Sequence, residues 1–82
     1  MIFGVYALFD KVRNAFGQIS IDVNNETAKR GFLFAVSNDV QLQYISKDLE
    51  LYKIGEMSQD TGIITPLVVH ELIARGEDYA NG

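Results

Sequence analysis

The 82-residue chain contains no cysteine and no tryptophan, and it has one proline and one histidine. The lack of cysteine excludes disulfides, thiolate metal ligands and thiol catalysis. A single histidine, His70, leaves little with which to build a catalytic or metal-binding site, and we expect it to be a surface or packing residue. The acidic pairs Asp48/Glu50 and Glu77/Asp78 are typical of solvated charges. These features predict a protein that is not an enzyme and uses no cofactor.

Long hydrophobic runs are also missing from the chain. No stretch approaches the roughly 20 apolar residues that span a bilayer. The apolar run from Met1 to Phe9 lacks the basic residues and the length of a secretory leader. We expect this run to form the first strand of a protein that works in the cytoplasm and does not enter a membrane.

Positive charge is scarce. The chain has 7 basic and 11 acidic residues and a formal net charge of -4, so its overall field repels phosphate. The excess of acid lies in residues 41–82, whereas residues 1–40 are balanced. The basic residues of the balanced half are Lys11, Arg13, Lys29 and Arg30. A polyanion would have to approach this half.

The composition is otherwise typical of one folded domain spanning residues 1–82. Hydrophobic residues make up 48% and charged residues 22%, and no linker or low-complexity tract divides the chain. A domain of this size buries only about 60 to 65% of the surface that its unfolded chain exposes. A partner subunit would therefore add stability.

Two strands are predicted at the start of the chain. Residues 2–8, IFGVYAL, are rich in β-branched and aromatic residues. Residues 18–23, QISIDV, alternate strictly, with Ile19, Ile21 and Val23 on one side. This alternation predicts a strand that is buried on one face.

The clearest helix is predicted over residues 24–39, NNETAKRGFLFAVSND. Asn24 or Asn25 can cap its first amides, and the poor helix formers at residues 37–39 favour an end near Asp39. The predicted core stripe consists of Ala28, Phe32, Ala35 and Val36. We expect residues 40–46, VQLQYIS, to fold back and cover Leu33 and Phe34. Gly31, in mid-helix, suggests close packing of the helix on the sheet.

A hairpin is predicted in the second half, with strands over about 49–57 and 62–69. Residues 59–62, QDTG, match a type I turn followed by a left-handed Gly62. In this register the numbers of paired residues sum to 122, so that Met57 pairs with Thr65 and Tyr52 with His70. Pro66 favours an edge position for the last strand. A short helix is expected over about 71–75.

These elements predict an α+β fold: a small antiparallel sheet in the order ββαββ, with one main helix packed on one face and a short C-terminal helix or tail. The face opposite the helix is expected to keep apolar side chains: Tyr52, Ile54, Ile64 and Val68. We expect a second copy of the chain to cover them, so the sequence predicts a homo-oligomer, with a dimer favoured.

Binding of single-stranded DNA requires aromatic rings along a basic track. The basic residues are Lys11, Arg13, Lys29 and Arg30, and an exposed aromatic residue such as Phe34 or Tyr44 would have to supply the stacking ring. Four basic residues offset by four acidic ones make a weak patch. Composition alone therefore favours a protein that associates with itself over a DNA-binding protein.

Several segments together resemble the small non-structural protein of gokushovirus-type microviruses, which are tailless phages with circular single-stranded DNA. The resemblance spans nearly the whole chain and is carried, in order, by VY, DK followed by FG, NNETAKRGFLFAVSND, DLELYKIGE, DTGIITP and ARGEDY. It implies a DNA-binding protein that acts, in the cytoplasm of the bacterial host, when the phage shifts to making and packaging single strands. The chain departs from the family at Gln18-Ile19, Val40 and Ser46-Lys47, where prolines are common.

Two hypotheses follow from the residues and the resemblance. The first is a single-stranded DNA-binding accessory factor in genome replication or packaging that acts as a homo-oligomer. Its expected DNA contacts are Lys11, Arg13, Lys29, Arg30, Phe34 and Tyr44. The second is an adaptor that binds itself and a phage capsid protein, a replication protein or a host protein, without binding nucleic acid.

Overall fold

Two β-hairpins supply the strands of the sheet in the computed structural model, which describes residues 1–80. The strands are β1 (Ile2–Asp10), β2 (Ala15–Asp22), β3 (Leu49–Ser58) and β4 (Ile64–Arg75). Because β1 also pairs antiparallel with β3, the order in the sheet is β2-β1-β3-β4. The central strands are β1 and β3, and the edges are β2 and β4.

Helices fill the connection between β2 and β3. The helical elements are α1 (Asn25–Asn38), α2 (Val40–Ile45), a 3-10 turn (Ser46–Asp48) and, after β4, α3 (Glu77–Ala80). Asn24 caps α1, because its side chain accepts a hydrogen bond from the Thr27 N–H at 2.8 Å. Asp39 caps α2 by accepting hydrogen bonds from the backbone N–H groups of Gln41 and Leu42.

The predicted ββαββ order with one main helix is wrong. The structure is mostly antiparallel sheet, and two consecutive short helices, α1 and α2, stand where one main helix was expected. The sequence predicts that the helical segment ends near Asp39, but the Asp39 carboxylate satisfies the first amides of α2, so residues 40–45 are helical. Leu33 is half-buried and Phe34 is exposed, so the expected cover of both residues is wrong for Phe34.

The second hairpin has the expected turn but a different register. Gly62 has a φ of +73°, and its N–H donates to the Ser58 carbonyl oxygen at 2.7 Å, which confirms the left-handed turn residue. Met57, however, pairs with Ile64, and Tyr52 pairs with Leu72, so the predicted register is wrong. The register already differs by one residue next to the turn, and two irregularities further along the strands, between Lys53 and Gly55 and between Leu51 and Tyr52, widen the difference.

The helix expected over 71–75 is also wrong, because β4 continues through these residues. Ala74 pairs with Leu51, and both side chains are buried in the core. The burial gained by pairing with β3 therefore outweighs the local helix preference of the segment.

The hydrophobic core lies between the sheet and the helices. Its buried residues are Tyr6, Ala28, Phe32, Val36, Leu49, Leu51 and Ala74. The stripe predicted for α1 is thus buried at three positions, and its fourth residue, Ala35, is half-buried. The fully buried Tyr6 donates a hydrogen bond from its hydroxyl to Asn25 Oδ1 at 2.7 Å, so its polar end is satisfied.

Gly76 marks a close approach between the end of β4 and the 3-10 turn. A Cβ atom at this position would overlap with the backbone carbonyl of Ser46, and the Gly76 N–H donates to the Leu49 carbonyl oxygen at 2.8 Å. We expect Gly76→Ala to lower the free energy of unfolding by about 1–3 kcal/mol, as overpacking does elsewhere. Urea unfolding followed by circular dichroism measures this change.

Gly31 provides the matched control for Gly76. It is exposed on α1, and no atom lies within 4 Å of a Cβ built on it, so the expected close packing at Gly31 is wrong. Alanine is the better helix former, and Gly31→Ala should raise the free energy of unfolding by up to about 1 kcal/mol. Equal stability of the two variants would contradict the packing described for Gly76.

Candidate interaction surfaces

Strand pairing divides the side chains of the sheet between two faces, because directly opposed residues of an antiparallel pair point the same way. Tyr6, Leu8 and Leu51 point toward the helices. The other side is called the open face here. Its paired rows are Phe16, Phe9, Glu50 and Arg75; Ile19, Ala7, Tyr52 and Leu72; Ile21, Val5, Gly55 and Pro66; and Phe3, Met57 and Ile64. Apart from the ion-paired Glu50 and Arg75 and one glycine, these rows consist of apolar or aromatic residues.

An aromatic cluster covers the middle of the open face. The ring centroids of Phe9 and Phe16 are 4.8 Å apart, and the Tyr52 ring lies edge-on to both, at 6.2 and 5.8 Å. The His70 ring lies 5.3 Å from Phe16, so it is the packing residue expected from the sequence. Because β1 separates Phe16 from Tyr52, their rings lean over β1, where Ala7 is 1% exposed. The chain thus covers part of this face itself.

The hydroxyl groups of Tyr52 and Tyr6 both have a pKa above that of an exposed tyrosine. Burial raises the pKa of Tyr52, and the hydrogen bond from its hydroxyl to Glu50 Oε1, at 3.1 Å, raises it further. Burial also raises the pKa of Tyr6, and the nearby carboxylate of Asp22 adds to the effect. Both phenols are therefore neutral hydrogen-bond donors at physiological pH.

The residues predicted to form an oligomer interface differ in their exposure. Tyr52 is half-buried in the aromatic cluster, and Ile54 is half-buried at a register irregularity between β1 and β3. Ile64 is exposed, and Val68 is fully exposed. The structure thus leaves two of the four side chains free to meet a second molecule.

Sequence reasoning missed part of the exposed apolar surface, which lies on β2. Phe16, Ile19 and Ile21 are exposed on the open face. The alternation of Ile19 and Ile21 was visible in the sequence, but it indicated a half-buried strand. Their exposure follows from the edge position of β2, and only the order of the strands reveals that position.

The second candidate surface is the helical layer, defined as residues 25–47. Phe34 is 69% exposed and Tyr44 is 87% exposed. Arg30 is also exposed and lies one helical turn before Phe34, so the two side chains share a face of α1. The layer has three basic and two acidic residues, whereas residues 48–82 have two basic and seven acidic ones. The helical layer is therefore net positive in an acidic chain.

The other two predicted basic residues, Lys11 and Arg13, lie in the turn between β1 and β2 and are exposed. Lys11 Nζ is 3.7 Å from a carboxylate oxygen of Glu77, so part of its charge is offset. Arg13 lines a cavity of about 190 Å³ together with Leu42 and Ile45 of α2. The fold thus brings Arg13 to the helix that carries Tyr44.

The acidic side chains near the end of the sheet take part in ion pairs. Arg75 Nε is 3.9 Å from a Glu50 oxygen, and an Arg75 guanidinium nitrogen is 3.8 Å from Glu77. Within residues 1–80, no three histidine, aspartate or glutamate side chains are grouped as metal ligands would be. The helices in this range are too short or too polar to cross a membrane.

The fold and its two surfaces define a small sheet protein with an apolar face and a weakly cationic helical layer. The family model described as Phage ORF5 protein matches residues 3–79. The chain belongs to this family and is therefore a small phage protein, which confirms the predicted resemblance at the level of a phage protein. Comparisons with curated proteins and with solved structures found no match.

Proposed function

We propose that this phage protein is a single-stranded DNA-binding accessory factor of a gokushovirus-type microvirus, acting as a homo-oligomer in genome replication or packaging in the bacterial cytoplasm. The observation that carries the proposal is the exposure of Phe34 and Tyr44 on the layer that also exposes Lys29 and Arg30. Exposed rings stack on unpaired bases, and neighbouring cations contact phosphates. The helical layer supplies both kinds of group.

Self-association is the second part of the proposal. The exposed apolar residues of the open face, among them Ile64 and Val68, favour burial against another molecule. A net charge of -4 weakens the attraction of one protomer for a polyanion. Two protomers that present their helical layers together would double the cations and rings available to one strand of DNA.

The direct test is a titration of a fluorescently labelled single-stranded oligonucleotide with the wild-type protein at about 25 mM and about 200 mM salt. We expect binding at the lower concentration that weakens at the higher one, because phosphate contacts release counterions. A duplex of the same sequence is the control, and it should bind less because its bases are not available for stacking. Absence of binding to the single-stranded oligonucleotide at low salt would contradict the proposed DNA-binding function.

The open face supports a second candidate function, that of an adaptor for a phage capsid protein, a replication protein or a host protein. Apolar residues are exposed on both edge strands, and such residues favour the binding of a protein over the binding of nucleic acid. Light scattering of the wild type and of Val68→Lys, together with the DNA titration, separates the two functions. Self-association that the lysine abolishes, without any DNA binding, would favour the adaptor.

A further inference from the structure

We infer that two copies of the chain pair antiparallel through the outer edge of β2, so that two four-stranded sheets join into one sheet of eight strands. The inference rests on the self-association in the proposed function and names the edge at which it occurs. The sequence predicts that the two copies meet through side chains of β3 and β4. The inference instead places their contact at β2, on the opposite edge of the sheet.

The two edges of the sheet differ in how well they are protected from pairing. In β4, Pro66 offers no N–H, and two register irregularities interrupt the strand. The β2 edge has neither proline nor lysine. Its one interruption is Gln18, where φ is +41° and the register with β1 shifts. The segment of β2 that follows, residues 19–22, is therefore the edge best able to accept another strand.

The side chains of this segment favour burial. Ile19 is 70% exposed, and Ile21 and Val23 are each 47% exposed. Ile19 and Ile21 lie on one side of β2, and Val23 follows the end of the strand at Asp22. Exposed β-branched residues on an unpaired edge are the feature that natural sheets usually avoid, because it promotes pairing with another chain. Pairing at this edge would cover part of the exposed surface of Ile19 and Ile21 with side chains of the second copy.

The distribution of charge identifies a second copy of this chain as the partner. Residues 14–21 contain no charged side chain and Asp22 is the one charged residue of β2, so two acidic molecules can meet there with little repulsion. Residues 48–82, which include β4, hold seven acidic and two basic residues. The charged residues of β4 itself are Glu71 and Arg75, whereas residues 14–21 at the β2 edge carry no charge.

The order of polar and apolar side chains along β2 also favours one register between the two copies. When Ile21 lies opposite the Ile21 of the second copy, Ile19 lies opposite Val23, and Ser20 lies opposite Asp22. Both serine hydroxyls then donate to carboxylates, and the apolar pairs share one face. A register centred on Asp22 would oppose two carboxylates, and one centred on Ser20 would place Asp22 opposite the irregular Gln18.

This pairing has a consequence for the helical layer. Two antiparallel strands of one sheet are related by a two-fold axis perpendicular to that sheet, so both copies turn the same face to the same side. The two helical layers would lie side by side on one surface. Lys29, Arg30, Phe34 and Tyr44 of both copies would then face a single strand of DNA together.

Cysteine cross-linking tests the register, because the chain has no cysteine of its own. Opposed residues of an antiparallel pair have Cα atoms about 4.5–5.5 Å apart, which suits a disulfide. Under mild oxidation, we expect Ile21→Cys to form a reducible dimer at least about tenfold faster than Ser20→Cys or Ile64→Cys, because its thiols are held together. The two Ser20 positions would be diagonal, about 7–8 Å apart, and too distant to bridge.

Equal or faster cross-linking of Ser20→Cys or Ile64→Cys would overturn the inference, as would a lack of cross-linking of an Ile21→Cys variant that folds. Circular dichroism verifies folding. As a second measurement, Ile21→Lys should be a monomer by light scattering, because two lysines would oppose each other. Ile64→Lys, on the other edge, should remain a dimer. A dimeric Ile21→Lys variant would also overturn the inference.

The DNA titration separates this inference from the proposed function. If Ile21→Cys cross-links but the wild type does not bind single-stranded DNA, then the edge pairing stands and the DNA-binding proposal fails. If the wild type binds DNA but cross-links only at Ile64, then the edge pairing is wrong and the DNA-binding proposal stands.

Discussion

Phe32→Ala is expected to lower the free energy of unfolding by about 3–5 kcal/mol, the usual cost of removing a buried phenylalanine ring. Phe32 is 5% exposed and lies in the core between α1 and the sheet. Small domains have a total stability of only about 5–15 kcal/mol, so this loss would leave the variant marginally folded. Urea unfolding followed by circular dichroism gives the measurement.

Phe34→Ala is the matched control, since it removes the same ring two residues further along the same helix. The ring is 69% exposed, and its loss should change the free energy of unfolding by less than about 0.5 kcal/mol. Its effect should instead appear as weaker binding of single-stranded DNA. Similar destabilisation by the two substitutions would contradict the orientation of α1 described above.

The helix α1 was predictable because its signals are local. Asn24 provides the cap, and the spacing of Ala28, Phe32 and Val36 marks the buried side. Capping and helical periodicity need no knowledge of the rest of the fold. The same is true of Gly62, whose left-handed conformation follows from the turn sequence alone.

The errors arose where contacts between distant segments decide the structure. Residues 71–75 have a local preference for helix, but Ala74 is buried opposite Leu51, more than 20 residues earlier in the chain. Asp39 can end one helix or begin another, and local propensity does not distinguish these roles. The irregularities of β4 likewise depend on pairing with β3 and leave no trace in the turn sequence.

The candidate surfaces were predictable only in part for the same reason. The sequence indicated that β3 has apolar residues on both faces, but it did not show that Phe16 of β2 leans toward Tyr52. That contact requires β1 to lie between the two strands. The sequence predicts that residues 40–46 cover Phe34, whereas Phe34 and Tyr44 are both exposed in the structure. Their role in DNA binding stays a prediction.

The second large effect is expected from reversing the charge of the helical layer. Lys29→Glu combined with Arg30→Glu should lower the affinity for single-stranded DNA by at least about tenfold at low salt, because two phosphate contacts are lost and two repulsive charges are added. The dependence of affinity on salt should become shallower. Both positions are exposed on α1, where substitutions change the free energy of unfolding little, so the fold should persist.

Lys11→Glu combined with Arg13→Glu makes the same change of charge in the turn between β1 and β2. Its effect should be smaller, because Lys11 already lies 3.7 Å from Glu77, whereas Phe34 and Tyr44 are exposed on the layer that carries Lys29 and Arg30. Titration of both double variants against the same oligonucleotide compares the two sites at equal net charge. Equal losses of affinity would indicate a response to total charge alone and would contradict a binding site on the helical layer.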